Sequence, residues 1–311
     1  MRCAGHSPDS YLRETNNMSK QSVGVVGVGL MGHGIALNLA RKGWPLGYLD
    51  HPGNQPTDDL DAFGATRHAD RAALARASEV VILCVTGTPQ VEDVLFGESG
   101  LLASLRPDTV VIDCSTAIPA STARVAAAVR EAGGRFLDAP MTRTPKEAAE
   151  GRLNLLVGAV PDLFEAMQPL LSAFAENIFH AGTEAGAGHT LKLLHNYVSL
   201  GSVTLIAEAA ACAGKAGIAP EVLVDVLRKG GGHGAALDRL SPFLLAGDSS
   251  PMRFSIANAR KDLGYYVAMA EGLGAERAVA EGVLTDLDGL VEGGHGADHL
   301  PLVVRHFTAK N

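Results

Sequence analysis

The chain has 311 residues, of which 47% are hydrophobic and 19% are charged, a composition that supports a sizeable core and excludes a disordered tail or charged linker. It is long enough for two domains or for one large one. Acidic residues outnumber basic ones, 34 to 26, and the net charge of -8 argues against a general nucleic-acid binder, which needs a basic face for phosphates.

The first residues of the chain and its cysteines indicate the cellular compartment of the protein. Residues 1–20 contain no apolar run that could serve as a signal peptide, and we predict a disordered leader there. No run of 18 uninterrupted apolar residues occurs, so no membrane-spanning helix is expected. Buried reduced thiols, and therefore a cytoplasmic protein, are predicted because the four cysteines have no paired spacing: Cys3, Cys84, Cys114 and Cys212.

The first half of the chain alternates short β-rich runs with amphipathic stretches. Strands are predicted at 22–28, 46–50, 79–85, 109–114, 135–138, 154–157 and 177–180. Helices are predicted between them at 30–42, 70–77, 89–96 and 119–132. Repeated strand–helix–strand units imply parallel pairing with right-handed crossovers, so the predicted fold class is α/β with an open, doubly wound parallel sheet.

After residue 182 the pattern becomes helical. One long helix is predicted over 183–213, apolar on most faces and therefore buried. Shorter helices are predicted near 219–229, 235–245, 255–271, 275–291 and 298–308. The expected organisation is therefore a nucleotide-binding domain over 21–182 and an all-helical domain over 183–311, joined by the long helix.

The first predicted strand runs into a G-x-G-x-x-G turn and then into a helix. The first glycine permits the tight turn, the second lets the backbone approach a pyrophosphate, and the third lets helix and strand pack closely. Free N–H groups at the helix start, with the helix dipole behind them, face the phosphates. The residues predicted to bind a dinucleotide here are Gly27, Val28, Gly29, Leu30, Met31 and Gly32. The alternative is a glycine-rich turn that binds nothing.

An acidic residue, Asp50, ends the predicted second strand. Its carboxylate can accept hydrogen bonds from an adenosine ribose diol and would repel a 2′-phosphate. No arginine follows it, since His51 comes next. We therefore predict NAD as the cofactor, with NADP less favoured; the alternative is a polar strand end without a ligand.

Polar residues share one face at the start of the long predicted helix. Lys192, Asn196 and Ser199 are spaced i, i+4, i+7, and His195 lies on the same side. Desolvation among leucines would lower the pKa of the lysine toward neutrality, which suits a general acid/base. The alternative, which spacing alone favours, is a lysine whose ammonium reaches solvent.

These motifs together make the sequence resemble the β-hydroxyacid dehydrogenases, which include 3-hydroxyisobutyrate dehydrogenase and tartronate semialdehyde reductase. The resemblance covers about 22–298 and rests on separate motifs in the same order. They are 27–32 with 38–40, 88–97, 113–116 with Pro119, 138–140 with 151–153, Gly186-x-Gly188 with Lys192 and Asn196, and Phe254 with 261–262.

The resemblance implies a Rossmann domain followed by a helical domain, with the active site in the cleft between them. It implies that Lys192 is the catalytic lysine and that Asn196 positions the substrate and the lysine. The further residues that it places at the cofactor are Val85, Thr86, Gln90, Thr116, Phe254 and Lys261; Thr116 is also expected at the substrate.

The chain departs from the family's pattern after Asp-Ala-Pro, where the family usually has Ser-Gly-Gly. The stretch here is Met141-Thr142-Arg143-Thr144-Pro145, similar to a loop of the sulfolactaldehyde reductase branch. A guanidinium fork suits a planar carboxylate or a sulfonate. We predict that Arg143, flanked by Thr142 and Thr144, binds the acidic group of the substrate; the alternative is an exposed loop arginine.

His195 is a second departure, because the family commonly has Asn there. We predict that His195 and Ser199 shape the substrate pocket. His189 and His233 complete a set of three histidines without the spacing of a metal site, so no metal is expected.

The predicted function is an NAD-dependent oxidoreductase that interconverts a 3-hydroxy acid, carboxylate or sulfonate, and the corresponding aldehyde acid. The alternatives are a catalytically silent nucleotide- or partner-binding protein on the same fold, a reductase of a related imine or semialdehyde, and 6-phosphogluconate dehydrogenase, whose longer helical tail is missing. The expected partner is a small acidic substrate, with neither nucleic acid nor membrane. A homodimer or homotetramer is expected, because the long apolar helix exceeds what one small domain can cover.

Overall fold

A computed structural model describes residues 20–309 of the chain. The predicted leader lies outside the described residues except for its last position. Within the described range, a sheet covered by helices is followed by a helical second half, which confirms the predicted fold class.

Nine strands form one sheet within residues 20–309. They are β1 Val23–Val26, β2 Leu46–Leu49, β3 Thr66–His68, β4 Val80–Leu83, β5 Val110–Asp113, β6 Arg135–Asp138, β7 Met141–Thr142, β8 Leu153–Gly158 and β9 Ala175–Gly182. The strands β1, β4 and β5 are buried along their whole length, as continuous Val/Ile runs predict for a sheet covered on both faces.

The helices of the first half connect these strands. They are α1 Gly32–Arg41, α2 Asp58–Ala62, α3 Arg71–Ala77, α4 Thr88–Phe96, α5 Pro119–Glu131, α6 Pro145–Ala149 and α7 Pro161–Leu171. The sequence pattern does not predict α2, α6 or α7. Two of these have only five residues, too few for a periodic pattern, and α7 contains Pro169.

The strand order is β3-β2-β1-β4-β5-β6-β8-β7, with β9 beside β8. Pairing from β3 to β6 is parallel, as predicted. The prediction is wrong for β8, which runs antiparallel to β6 and β7. The segment 143–152 is too short for the crossover that a parallel connection needs, so the chain turns back.

The strand order reverses at β1, which pairs with β2 on one side and β4 on the other. In open α/β sheets, ligands bind in the crevice beyond the carboxyl ends of the strands at such a reversal. The glycine turn directly follows β1 and therefore lies at this crevice.

The second half consists of helices packed around one long helix. They are α8 Ala187–Lys215, α9 Pro220–Lys229, α10 Ala235–Ala246, α11 Ile256–Gly272, α12 Ala278–Leu290 and α13 Val303–Ala309. The long helix α8 packs against α10, α11 and α13 and also against β8 of the sheet. It therefore belongs to the cores of both halves.

The helix α8 is only partly buried, which corrects the prediction of a buried helix. Four apolar side chains on it are exposed: Leu191, Leu194, Val198 and Leu205. By length and composition alone this helix could cross a membrane, but 39% of its most apolar window is buried inside the fold, and the central helix of a globular protein passes the same test.

The cysteines within residues 20–309 are free thiols, as predicted. Cys84 and Cys114 lie just beyond β4 and β5, where burial raises the pKa of the Cys84 thiol to about 12. Cys212 on α8 is exposed, which corrects the prediction that these thiols are all buried.

Candidate active site

The glycine turn has the backbone geometry of a dinucleotide cradle. Gly27 has a φ of +94°, and a Cβ on Gly32 would lie 1.9 Å from the Gly27 carbonyl oxygen, so the fold itself requires both glycines. A Cβ on Gly29 would meet nothing within 4 Å. A glycine there is instead explained by a ligand that approaches from outside, and the turn therefore fits the pyrophosphate of a dinucleotide. Val28 is buried, whereas Leu30 is exposed and Met31 is partly buried.

The carboxylate of Asp50 lies at the end of β2 and is paired with an arginine. The Arg67 guanidinium on β3 donates a hydrogen bond of 2.7 Å to Asp50 Oδ1, and both side chains are exposed. No arginine directly follows Asp50 in the sequence, but the fold places Arg67 beside it. Residues after Asp50 could not reveal this partner, because pairing of β2 with β3 brings it from another segment.

Three predicted cofactor residues, Val85, Thr86 and Thr116, follow the ends of β4 and β5, and a fourth, Gln90, lies on α4. The Val85 N–H donates to Ser115 Oγ, so the loops after the two strands are joined. Thr86 and Gln90 are exposed, and Thr116 is partly buried. Because β1, β4 and β5 are parallel, Val85, Thr86 and Thr116 lie at the same edge of the sheet as the glycine turn.

Lys261 and Tyr265 of α11 contact the loop after β4. The Lys261 ammonium donates to the Thr86 carbonyl and lies 3.1 Å from Asp262 Oδ1. The Tyr265 hydroxyl accepts a hydrogen bond from the Thr88 N–H, and a Cβ on Gly87 would lie 2.7 Å from that hydroxyl. The helical half therefore closes one side of the crevice. Phe254, in contrast, packs against the core of the helical half.

The amine of Lys192 is partly buried beside the sheet. It donates a hydrogen bond of 2.6 Å to the carbonyl of Met141, just beyond β6. Burial lowers the pKa of Lys192 to about 8; the nearby carboxylate of Asp262 opposes the shift and the ammonium of Lys261 adds to it. The alternative of a lysine that reaches solvent is therefore wrong, and this amine can exchange a proton near neutral pH.

Asn196 lies one turn further along α8 and is buried. Its amide donates a hydrogen bond of 2.7 Å to Asp262 Oδ2, and its oxygen faces His195 Nδ1 at 3.0 Å. Burial lowers the pKa of His195, and this hydrogen bond opposes the shift. The buried Asp262 contacts both Lys261 and Asn196. In the sequence analysis this aspartate appears only as part of the motif at 261–262, with no role assigned to it. Ser199 is partly buried on the same helix.

The loop after β7 has an unusual backbone at Arg143, whose φ is +83°. This left-handed conformation explains why glycine is common there in the family. The guanidinium donates to the Glu176 carboxylate and to the Arg152 carbonyl. An acidic substrate group would therefore have to compete with Glu176 for this arginine.

The two threonines beside Arg143 differ in environment. Thr142 is buried and accepts a hydrogen bond of 3.0 Å from the Asn154 amide. Thr144 is the N-cap of α6 and forms a capping box with Glu147, whose pKa its hydroxyl lowers. The predicted substrate role of Thr144 does not fit, because its hydroxyl already donates to Glu147 and accepts from the Lys146 N–H.

A buried network fixes the start of α8 and with it the position of Lys192. Asp138, at the end of β6, accepts hydrogen bonds of 2.8 Å from the N–H groups of Gly186 and His189. The His189 ring lies 2.8 Å from Thr122 Oγ1 and 3.1 Å from the Ser115 carbonyl. The start of α8 is therefore held against the sheet by two backbone N–H groups bound to Asp138 and by the His189 ring. From the sequence, His189 stood out only as one of three histidines.

Both halves of the chain match domains of known enzyme families. Residues 22–182 match the NAD binding domain of 6-phosphogluconate dehydrogenase, and residues 186–305 match the NAD-binding domain of NADP-dependent 3-hydroxyisobutyrate dehydrogenase. The chain belongs to the β-hydroxyacid dehydrogenase family. The predicted resemblance is thereby confirmed, and the family binds NAD(P).

Three relatives illustrate the range of this family. L-Threonate dehydrogenase of Escherichia coli K12 is 30% identical over 291 residues, which cover 93% of this chain and 96% of the relative. The 3-sulfolactaldehyde reductase of the same strain is 33% identical over 253 residues, covering 81% and 84%. The crystal structure of 3-hydroxyisobutyrate dehydrogenase from Salmonella typhimurium is 28% identical, with a TM-score of 0.80 and coverage of 92% and 99%.

Membership of this family decides the class of the protein. The β-hydroxyacid dehydrogenases are NAD(P)-dependent oxidoreductases, so the prediction of an enzyme is confirmed and the alternative of a catalytically silent binding protein is set aside. The relatives named above differ in the acid that their names give, although their identities to this chain are similar. Overall similarity therefore does not select a substrate.

Proposed function

We propose that this β-hydroxyacid dehydrogenase is NAD-dependent and interconverts a small 3-hydroxy acid and the corresponding aldehyde acid, with Lys192 as general acid/base. The observation that carries the proposal is the Lys192 amine, which is held on the Met141 carbonyl and has a pKa lowered to about 8. It lies beyond β6, at the same edge of the sheet as the glycine turn that follows β1.

Proton transfer then follows from the two states of this amine. In the oxidation direction the neutral amine accepts the proton of the substrate hydroxyl, and in reduction the ammonium donates a proton to the carbonyl oxygen. NAD(P) bound across the strand ends supplies the hydride acceptor or donor. With a pKa near 8, both protonation states of Lys192 are accessible close to neutral pH.

Asn196 is proposed to orient the reacting oxygen. Its side-chain amide has two N–H bonds, and one of them is used by Asp262. The second N–H can donate to the substrate oxygen. Because Asp262 and His195 hold the two ends of the amide, its direction is fixed before the substrate arrives.

The acidic group of the substrate is proposed to bind at the loop after β7. Thr142 directly follows Met141, whose carbonyl contacts Lys192, so its hydroxyl lies one residue from the proton-transfer group. Arg143 is proposed to join this binding by exchanging Glu176 for the substrate carboxylate or sulfonate. Two relatives act, by their names, on acids of these two kinds, threonate and sulfolactaldehyde.

The preference for NAD over NADP is also proposed, because the Asp50 carboxylate would repel a 2′-phosphate. Thr116 and Lys261 are proposed to border the nicotinamide end of the cofactor, and Ser199 and His195 the substrate pocket.

The exposed apolar residues of α8 support a homodimer or homotetramer, which light scattering would detect. A cytoplasmic location remains a prediction.

Replacement of Lys192 by Ala tests the proposal. We expect kcat to fall at least ~100-fold while NAD binding, followed by fluorescence titration, is retained. In the unmodified enzyme, kcat/KM for oxidation should rise with pH and level off above about 8, whereas kcat/KM for reduction should fall above about 8. The exposed Lys229, replaced by Ala, is the control. Turnover of Lys192→Ala within tenfold of the parent would overturn the assignment.

A further inference from the structure

Three side chains of types that bind metals converge in the helical half. His295 and Asp298 lie in the segment after α12, and His306 lies on α13. Asp298 Oδ2 is 3.3 Å from His295 Nδ1 and 3.1 Å from His306 Nε2. All three ligand atoms lie within 4.8 Å of one another. Asp298 Oδ2 therefore lies within reach of both imidazole nitrogens, and the centroids of the two rings are 4.0 Å apart.

Two of these separations, those from Asp298 to each histidine, match the spacing of ligand atoms around a small tetrahedral ion. Zinc binds histidine nitrogen and carboxylate oxygen at about 2.0–2.1 Å, which places adjacent ligand atoms of a tetrahedron about 3.3 Å apart. The two distances to Asp298 agree with this value. Imidazole and carboxylate ligands together select Zn²⁺ and similar transition metals rather than Mg²⁺ or Ca²⁺, which prefer oxygen alone.

Backbone hydrogen bonds hold the ligand-bearing segment in place. The Ile256 N–H donates to the Asp298 carbonyl, and the Ala257 N–H donates to the Gly296 carbonyl, both at 2.9 Å. Gly294, with a φ of +86°, reverses the chain after α12 and directs His295 back toward Asp298. The positions of two ligands are thus fixed before an ion binds, which reduces the cost of ordering them.

We propose that His295, Asp298 and His306 form a structural site for a zinc-type divalent transition metal. The ion joins the segment after α12 to α13, which itself packs against the long helix α8. Because His295 is exposed, water can take the fourth position. These three residues are not among those considered from the sequence, and their spacing, H-x2-D-x7-H, spans the end of one helix and the middle of another.

The test uses the full-length protein with the exposed Cys212 replaced by Ser, because a free thiol would compete for zinc. After treatment with a chelator, the protein is titrated with ZnCl₂ by calorimetry, and thermal unfolding is followed with and without zinc. We expect one zinc per chain and a higher unfolding midpoint with zinc.

Single variants decide which residues hold the ion. His295→Gln, Asp298→Asn and His306→Gln should each weaken zinc binding at least ~10-fold and remove the rise in the unfolding midpoint. His299→Gln is the matched control, since its ring faces Ser249 instead of the cluster, and it should bind zinc like the parent. His295→Gln changes an exposed side chain and should leave the zinc-free fold intact. A loss of zinc binding in this variant therefore cannot be ascribed to misfolding, as it could be in Asp298→Asn or His306→Gln.

Two results would overturn the site. The first is a parent protein that takes up no zinc in the titration. The second is zinc binding that survives in His295→Gln, Asp298→Asn and His306→Gln alike, which would place the ion elsewhere. Because calorimetry and unfolding do not involve dehydrogenase activity, neither result depends on the proposed function.

Discussion

The two sides of the candidate cleft differ in how locally they are built. On the cofactor side, the turn after β1 comes from six consecutive residues, 27–32, and its shape follows from where the glycines stand. On the proton-transfer side, Lys192 depends on Met141, Asp262 and Lys261, which come from other segments of the chain. A local motif can thus be identified in sequence, whereas the environment that lowers a pKa is assembled only by folding.

Substitutions in the glycine turn should give the largest effects and test its local character. Gly32→Ala places a Cβ 1.9 Å from the Gly27 carbonyl oxygen, and we expect a loss of at least ~2 kcal/mol in the free energy of unfolding. Gly29→Ala meets nothing within 4 Å, so stability should be unchanged while NAD(P) affinity falls at least ~10-fold. Denaturant unfolding and cofactor titration separate the two.

Equal stability and equal affinity loss in both variants would contradict this division of roles between Gly29 and Gly32. It would show that the turn does not distinguish a glycine needed for folding from one needed for the ligand.

The variant Asp262→Asn tests the proton-transfer side of the cleft. The Asp262 carboxylate raises the pKa of Lys192 against the larger effect of burial. Removal of that charge should therefore move the pH midpoint of kcat/KM for oxidation below about 8, while the amide oxygen of the variant side chain can still accept from Asn196. The measurement is the pH profile, and Asp225→Asn, which alters an exposed ion pair on α9, is the control. A midpoint that stays in place or rises would separate the observed titration from Lys192.

A smaller effect is expected on the choice between NAD and NADP. It involves one residue identified from the sequence, Asp50, and one that strand pairing brings to it, Arg67. Arg67 neutralises part of the Asp50 charge and could pair with a 2′-phosphate. Arg67→Ala should therefore raise the ratio of kcat/KM with NAD to that with NADP, by up to ~10-fold, and Asp50→Asn should lower it. If the ratio is the same in both variants and the parent, the pair does not contribute to cofactor choice.

The backbone at Arg143 gives the smallest effect. Arg143→Gly and Arg143→Ala both remove the contact with Glu176, so their difference reports the φ of +83° alone. We expect the Gly variant to be more stable by about 1 kcal/mol in denaturant unfolding, because an L side chain is disfavoured in this conformation. Equal stabilities would show that the strain is absent. The KM for acidic substrates, raised in both variants, would support the proposed role of the guanidinium.

The sequence by itself determined the features that are local in the chain. The alternation of strands and helices, the glycine turn, the helical second half and the spacing of Lys192 and Asn196 follow from residue types at short separations. The direction of β8 could be derived only from the structure, because the two-residue strand β7, from which the short connection starts, is too short for the sequence pattern to predict.

Tertiary structure alone decided which distant groups meet. Arg67 reaches Asp50 through strand pairing, and Glu176 reaches Arg143 through the edge strand β9. The network of Asp138 and His189 likewise forms only when α8 is placed over the sheet. The physical reason is that hydrogen bonds and desolvation act over a few ångströms in space, and residues far apart in sequence come that close only through the packing of the whole fold.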